Sequence, residues 1–351
     1  MSLFRPLLVR SLTMVGVFFV VLLMLVLTLG LTGFSDRILA ATIGEQLRAE
    51  RTALAETIRD PDEMEKVLEK RREELEIFYG LRTPWYYRLP RTALRVLTLD
   101  LGEARSLRSF DGSNRVFDIV TERVPNSMLL LTTSFIITAI IGIIGGSYLA
   151  TRQGSWLDRF VSGFAAVSFA IPTWWIGILF ILILSIQLRI LPSGGMYSTP
   201  PPTEPLPRFF DLVSHALLPV ITLVLVSFGP SIYSIRTITL NIAQEDHVKI
   251  ARAKGLPERR VRLRHILRVA APPIVTGLLF GLAGSLSGSI LVETVFNWQG
   301  MGRLYYDALA GTPDENVIVA LTFIFTLMYV AIRIVLEVLY VFLDPRVRYT
   351  D

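Results

Sequence analysis

Arg333 and Glu337 stand one helical turn apart inside the apolar run from Val317 to Leu343. An isolated charge in lipid is costly, so the two should pair or face protein. One use of such a pair is a relay in an ion-coupled transporter; the other is a structural ion pair near the inner leaflet. The histidines, His215, His247 and His265, show neither H-E-x-x-H nor any other metal spacing, and they read as packing or hydrogen-bonding residues. The chain has no cysteine, which excludes disulfides, thiolate nucleophiles and cysteine-ligated metals. None of the lysines, at 66, 70, 249 and 254, follows a glycine, so the G-x-x-x-x-G-K-S/T phosphate cradle for ATP is missing.

Two other groupings sit in apolar surroundings. Gly277, Gly281, Gly284 and Gly288 recur at intervals of 4, 3 and 4, with Ser285, Ser287 and Ser289 among them. Such a face either lets a second helix approach closely or lines a polar-tolerant passage. Gly281, Ser285, Gly288 and Ser289 are the candidates for either role. Trp174 and Trp175 directly follow Pro172 and its neighbour, and read as interfacial packing or as a gate.

The most polar stretch of the second half of the chain runs from Asn241 to Pro273. It holds Lys249, Arg252, Lys254, Arg259, Arg260, Arg262, Arg264 and Arg268 against Glu245, Asp246 and Glu258. Ile242 to Lys254 reads as a helix, Gly255 as the residue past its end, and Pro257 as the first turn of a second helix to about Arg268. On that helix Val261, His265 and Arg268 share one face, and Leu263 and Leu267 another. A basic loop alone follows from the positive-inside rule. A compact helical pair broken by glycine is more than topology requires.

The elements that position these residues are membrane spans. The chain is 52% hydrophobic with a mean hydropathy of +0.52, beyond a soluble domain. About 20 apolar residues cross a bilayer as a helix. Runs of that kind cover about 7–32, 127–151, 160–188, 215–240, 274–292 and 317–343, with Pro172 kinking or breaking the third. The first is too long for a signal peptide. Short inner segments carry the basic residues, which places both termini, including the tail 344–351, in the cytoplasm. The net charge of +5 therefore does not point to nucleic acid. Residues 33–126 form a polar insert. One helix there presents Leu39, Ile43, Leu47, Leu54 and Ile58. A second starts at Asp60-Pro61 with Glu63 placed to close a capping box, presents Met64, Val67, Leu68, Leu75 and Phe78, and ends at Gly80. This hairpin is either simply solvated or a docking surface for an external partner.

The stretch from Glu245 through Val248, Ala251, Arg252, Ala253, Lys254, Gly255 and Leu256 to Val261, His265, Leu267 and Arg268 resembles the cytoplasmic "EAA" loop of ATP-binding-cassette importer permeases. The form is that of the dipeptide/oligopeptide/nickel permease family. ERVPNSMLLL before the second span, ETVFNWQGMGRL after the fifth and DPRVRY at the end fit the same family, as does FYGLRTPWYYRLPRTALRVLTLDLG in the insert. Departures are His247 for an aromatic, Val269 for asparagine, Pro272-Pro273 for Leu-Pro, and a longer helical segment around 45–76. The resemblance implies an all-α membrane protein with six transmembrane helices in the type I ABC importer permease fold. It also implies an extracytoplasmic helical insert and a coupling loop at 241–271. It implies a second, related permease as heterodimer partner, two ATPases holding ATP and Mg, and an external solute-binding protein. The chain itself would hold no cofactor or metal and would catalyse nothing. Glu245, Asp246, Ala251, Arg252, Ala253, Lys254, Gly255 and Leu256 would transmit force, with Ala251 to Leu256 buried against the partner. The solute would be a peptide, with oligosaccharide or nickel as alternatives. An ion-coupled transporter would need ionisable residues in several spans and repeated spans, and the sequence has neither.

Overall fold

The computed structural model describes residues 4–55, 58–84, 86, 87, 98, 100–285, 290–310 and 313–343. The side chains of 4–11, 282–285, 336–343 and a few scattered helix positions lie outside that description. Among the described residues the chain is helical, with one isolated β-bridge between Glu103 and Arg115. It divides into two compact units, one comprising 12–122 with 304–327, the other 1–11 and 123–303 with 328–351.

α1 (Phe4–Leu31), which belongs to the first unit from Leu12 on, ends where Gly33 takes a positive φ of 64°, and α2 (Phe34–Leu54) follows in that unit. α3 (Pro61–Phe78) folds back on α2, as the alternating charges and apolar stripes predict. Asp60 caps α3 by accepting from the Asp62 N–H at 3.0 Å, and Gly80 lies past its end with φ 72°. Leu39, Ile43, Met64 and Leu75 are buried, whereas Phe78 and Val67 are exposed. Gln46 donates to Tyr79 Oη at 2.8 Å, tying the middle of α2 to the end of α3. Further along, Asn316 donates to the Glu103 carbonyl at 2.8 Å and Ser106 N–H to Asp314 at 3.2 Å, so the 100–115 segment is fixed to the residues that open the last helix.

The second unit holds most of the apolar helices. α4 (Val116–Ala150) is 35 residues long and starts well before the expected span. α5 (Trp156–Ala170) and α6 (Thr173–Gln187) meet at 98°, so Pro172 breaks the third span, one of the two outcomes expected of it. A proline disfavours helix in the residue before it, and here Ile171 is extended. The second half of α6 is π-helical. α7 (Pro205–Ala243) continues through Pro219 and Pro230 and absorbs part of the expected outer loop. α8 is Asp246–Ala253. α9 begins at Glu258, passes through a π-helical Val261–Leu267 and runs on to Ser285. α10 (Ile290–Val295), α11 (Met301–Leu309) and α12 (Glu315–Leu343) complete the chain. By length and composition, four described helices can cross a membrane, and five when α5 with α6 counts as one broken span.

Close helix contact is set by α4. At Gly146 a Cβ would lie 2.9 Å from the Ile232 carbonyl and the Arg236 nitrogen, so only glycine lets the backbones of α4 and α7 touch there.

Candidate functional site

The charged segment folds as a helix, a glycine turn and a helix. The break from α7 falls at Gln244-Glu245, two residues into the stretch read as helix from Ile242. Glu245 is the N-cap residue of α8, and Asp246 in the first turn pairs with Lys249 at 2.9 Å. That lysine holds the Asp246 carboxyl below its ordinary range, through its hydrogen bond first and its charge second. Gly255 has φ 70°, the left-handed conformation that stops α8, and a Cβ there would meet nothing within 4 Å. Across this turn Arg252 donates to both oxygens of Glu258, at 2.8 and 3.3 Å, and the carboxylate raises the Arg252 pKa. His247 Nε2 meets the His265 carbonyl at 2.9 Å, which clamps the start of α8 to α9. The residue that departs from the family's aromatic thus has a bonding role of its own.

The expected second helix does not stop at Arg268; it is the first part of α9. Its buried residues are Val261, Ile266, Ala270 and Ile274. The first spacing is five, because the π-helical turn adds one residue, so Ile266 faces inward and His265 and Leu263 do not take the places read from a 3.6-residue period. These four pack with Ile235, Ile242, Val248 and Ala251. Ala251 is therefore 3% exposed inside its own chain, and Leu256 is half-buried on the same cluster. Of Ala251 to Leu256, expected to be buried against a partner, Ala251 is buried within its own chain, while Arg252, Ala253, Lys254 and Gly255 are exposed, as are Glu245, Asp246, Lys249 and Ile250.

Between α4, α7 and α9 lies a cavity of about 340 Å³. Gly277 and Gly281 line it. Gly277 has no neighbour within 4 Å of a Cβ, and Gly281 meets only Phe135, at 3.3 Å. Gly288 and Ser289 lie outside the described residues, as does the Ser285 side chain. Trp174 and Trp175, in the first turn of α6, are both exposed. Arg333 lies 4.6 Å over the Phe280 ring, and its Nε donates to Tyr329 Oη at 3.2 Å. The Glu337 side chain is outside the described residues. Aromatic faces stabilise a guanidinium in low dielectric.

Two buried polar constellations escaped the sequence reading. Glu293 is fully buried and bound by Ser127 Oγ and by the first N–H groups of α11. Asp158 pairs with Arg236, the Arg236 Nη2 donating to Oδ2 at 2.8 Å. A signal for the second existed: Ser155-x-x-Asp158 is a capping pattern, and Arg236 interrupts an apolar helix. Among the described residues no group of three or more metal-ligating side chains converges.

A chain of long apolar helices with a folded basic element between two of them is a multi-pass membrane protein, built as a transport subunit. It belongs to the family of binding-protein-dependent transport system inner membrane components, which matches residues 142–349. It is 31% identical over 286 residues to the oligopeptide transport system permease protein AppB of Bacillus subtilis, covering 81% of this chain and 87% of that one. It is 32% identical over 297 residues to the glutathione transport system permease protein GsiC of Escherichia coli, covering 84% and 89%. A chain of the MetNI methionine ABC transporter, solved in inward-facing conformations, shares the fold at 16% identity and a TM-score of 0.50, covering 64% of this chain and 96% of that one. The fold is that of a type I ABC importer permease, as expected.

Proposed function

We propose that this chain is the six-span permease subunit of an ATP-driven importer for short peptides, with α8 and its glycine turn as the element that receives force from an ATPase. The observation that carries this is the division of labour within one short segment. Ala251 and Val248 fix α8 to the ends of α7 and α9, while Ile250, Ala253, Lys254 and Gly255 stand free on its outer side. A lever needs both a rigid root and a free contact face. Because α9 runs unbroken from Glu258 to Ser285, movement of α8 reaches the cavity wall at Gly277 and Gly281 through one helix.

Peptides are the solute class because the relatives named above carry oligopeptide and glutathione in their names. α1, 28 residues long, is the first of the six spans, and both termini are cytoplasmic. A second, related permease completes the pathway, two ATPases supply ATP and Mg²⁺ chemistry, and an external binding protein delivers solute; this chain catalyses no bond change. The hairpin of α2 and α3 in the 33–126 insert faces outward, in a prokaryotic cell membrane.

The test is reconstitution of the complex with the binding protein and ATPases encoded beside it. Uptake of peptides that requires ATP and the binding protein is expected. A purified complex lacking an ATPase, or uptake driven by an ion gradient alone, overturns the reading.

A further inference from the structure

We infer that the cavity between α4, α7 and α9 is a station for the uncharged backbone of the passing peptide, held by a ladder of hydroxyls; this rests on the function proposed above. All fifteen residues that line the cavity are uncharged. Ser227, Ser231 and Ser234 line it from α7, and Ser134 and Thr138 from α4.

Hydroxyls in apolar helices commonly bond back to the carbonyl four residues earlier. Thr222, Thr239 and Ser134 do so, at 2.8, 2.7 and 2.8 Å. Ser227, Ser231, Ser234 and Thr138 do not, and among the described residues they have no hydrogen-bond partner. Thr138 is only 8% exposed and lines the cavity. Ser231 is half-buried and Ser227 and Ser234 are exposed, so these hydroxyls are accessible to bond to an occupant of the cavity.

The spacing selects the occupant. Ser227, Ser231 and Ser234 fall at i, i+4 and i+7 and so rise along one face by about 10 Å in all. An extended tripeptide spans about 10 Å. A hydroxyl both donates and accepts, so each rung meets an amide N–H or a carbonyl without choosing the register. With no charge in the wall, peptides pass irrespective of side-chain charge. The volume of about 340 Å³ is at the small end of the roughly 300–1,000 Å³ of ligand pockets.

The experiment uses the whole transporter in proteoliposomes, with its binding protein and a radiolabelled pool of short alanine peptides. In a variant with Ser227→Ala, Ser231→Ala and Ser234→Ala, or with Thr138→Val, peptide moved per ATP hydrolysed should fall about tenfold. Stimulation of the ATPase by the loaded binding protein should persist, and Thr138→Ser should restore transport. Backbone N-methylated alanine peptides should be slow in the wild type and no slower in the variants. Wild-type turnover per ATP in both variants, or equal handling of methylated and plain peptides, overturns the ladder while leaving the importer intact. Residual transport that is instead blocked by added lipid acyl chains identifies a lipid site and overturns it also. A wild-type transporter that moves no peptide removes the proposed function and this inference together.

Discussion

Ser127 and Glu293, 166 positions apart, share a hydrogen bond of 2.7 Å in which the serine hydroxyl donates to the carboxylate. Ser127 Oγ in turn accepts from the Met301 N–H at 2.7 Å. The other carboxylate oxygen accepts from Gly302 and Arg303 at 2.8 and 3.1 Å. The first N–H groups of any helix lack internal partners. Those of α11 are satisfied by a pair brought in from α4 and α10. Beside them the Trp298 indole donates to the Asn126 carbonyl at 2.9 Å, and Trp298 is fully buried.

Glu293→Ala should therefore strand buried donors and lower Tm in detergent by roughly 3–10 °C. Glu293→Gln, which keeps an acceptor oxygen, should fall in between. Thermal unfolding followed by tryptophan fluorescence checks this. A Glu293→Ala protein as stable as wild type would show that the carboxylate does not hold α11.

Gly255 separates backbone strain from partner contact. Its φ of 70° disfavours a side chain, yet a Cβ there meets nothing within 4 Å. Gly255→Ala should cost about 1 kcal/mol of loop stability and leave transport near wild type. Gly255→Trp has the same strain but places a bulky ring on the free face of α8. It should abolish ATP-coupled uptake while membrane insertion persists. Equal behaviour of the two variants would place the defect in the backbone and not in a docked surface.

The apolar runs of α4, α7 and α12 and the glycine turn at Gly255 were legible because hydropathy and φ preference are local. The length of α9 was not. Its charged start reads as a separate helix to about Arg268, yet the helix continues past that residue and through Pro272 and Pro273. The π-helical turn at Val261–Leu267 changes which residues face inward, and no 3.6-residue pattern anticipates it. The glycine stripe on α9 points to packing there, but a glycine-dependent backbone contact between helices is at Gly146 on α4, against a partner 86 or more residues away in sequence. Likewise Glu293 was read as part of an outer segment, since its partners are fixed only by tertiary contact.

The insert should respond to acid. Arg82 donates to Glu76 at 3.2 Å and to Glu73 at 3.0 Å, and Arg72 donates to Glu76 at 3.1 Å. The Arg82 bond is the main reason the Glu76 carboxyl sits below its ordinary value of 4.5; burial opposes it, and the Arg72 bond adds to the lowering. A lowered folded-state pKa means that ionised Glu76 stabilises the fold above the unfolded value, about 4.5. That contribution disappears as pH falls through the lowered folded value. Protection factors for hydrogen exchange over 61–78, corrected for the slower intrinsic exchange in acid, should therefore fall below pH about 4.5 in the wild type. In Glu76→Gln the protection should already be lower at neutral pH and change less on acidification. Identical pH profiles would remove the pair from the hairpin's stability.

Asp158 and Arg236 make the sharper energetic case. Their side chains are 5% and 13% exposed, and the pair joins the start of α5 to α7. Asp158 also accepts from the Gly154 N–H at 2.9 Å, so the carboxylate is held in place before the arginine arrives. Removing one member of a buried pair leaves an uncompensated charge, at a cost of roughly 3–5 kcal/mol. Removing both avoids that cost, and apolar replacements fill the space. Arg236→Met alone should therefore be strongly destabilising and Asp158→Leu likewise. The double variant should recover much of the loss, apart from what Gly154 forfeits. The sign is diagnostic: a double-mutant cycle on Tm in detergent should show favourable coupling well above the roughly 0.5 kcal/mol at which distant sites add. Additive losses would mean that the two residues act separately, Asp158 as a cap on the turn before α5 and Arg236 as packing on α7.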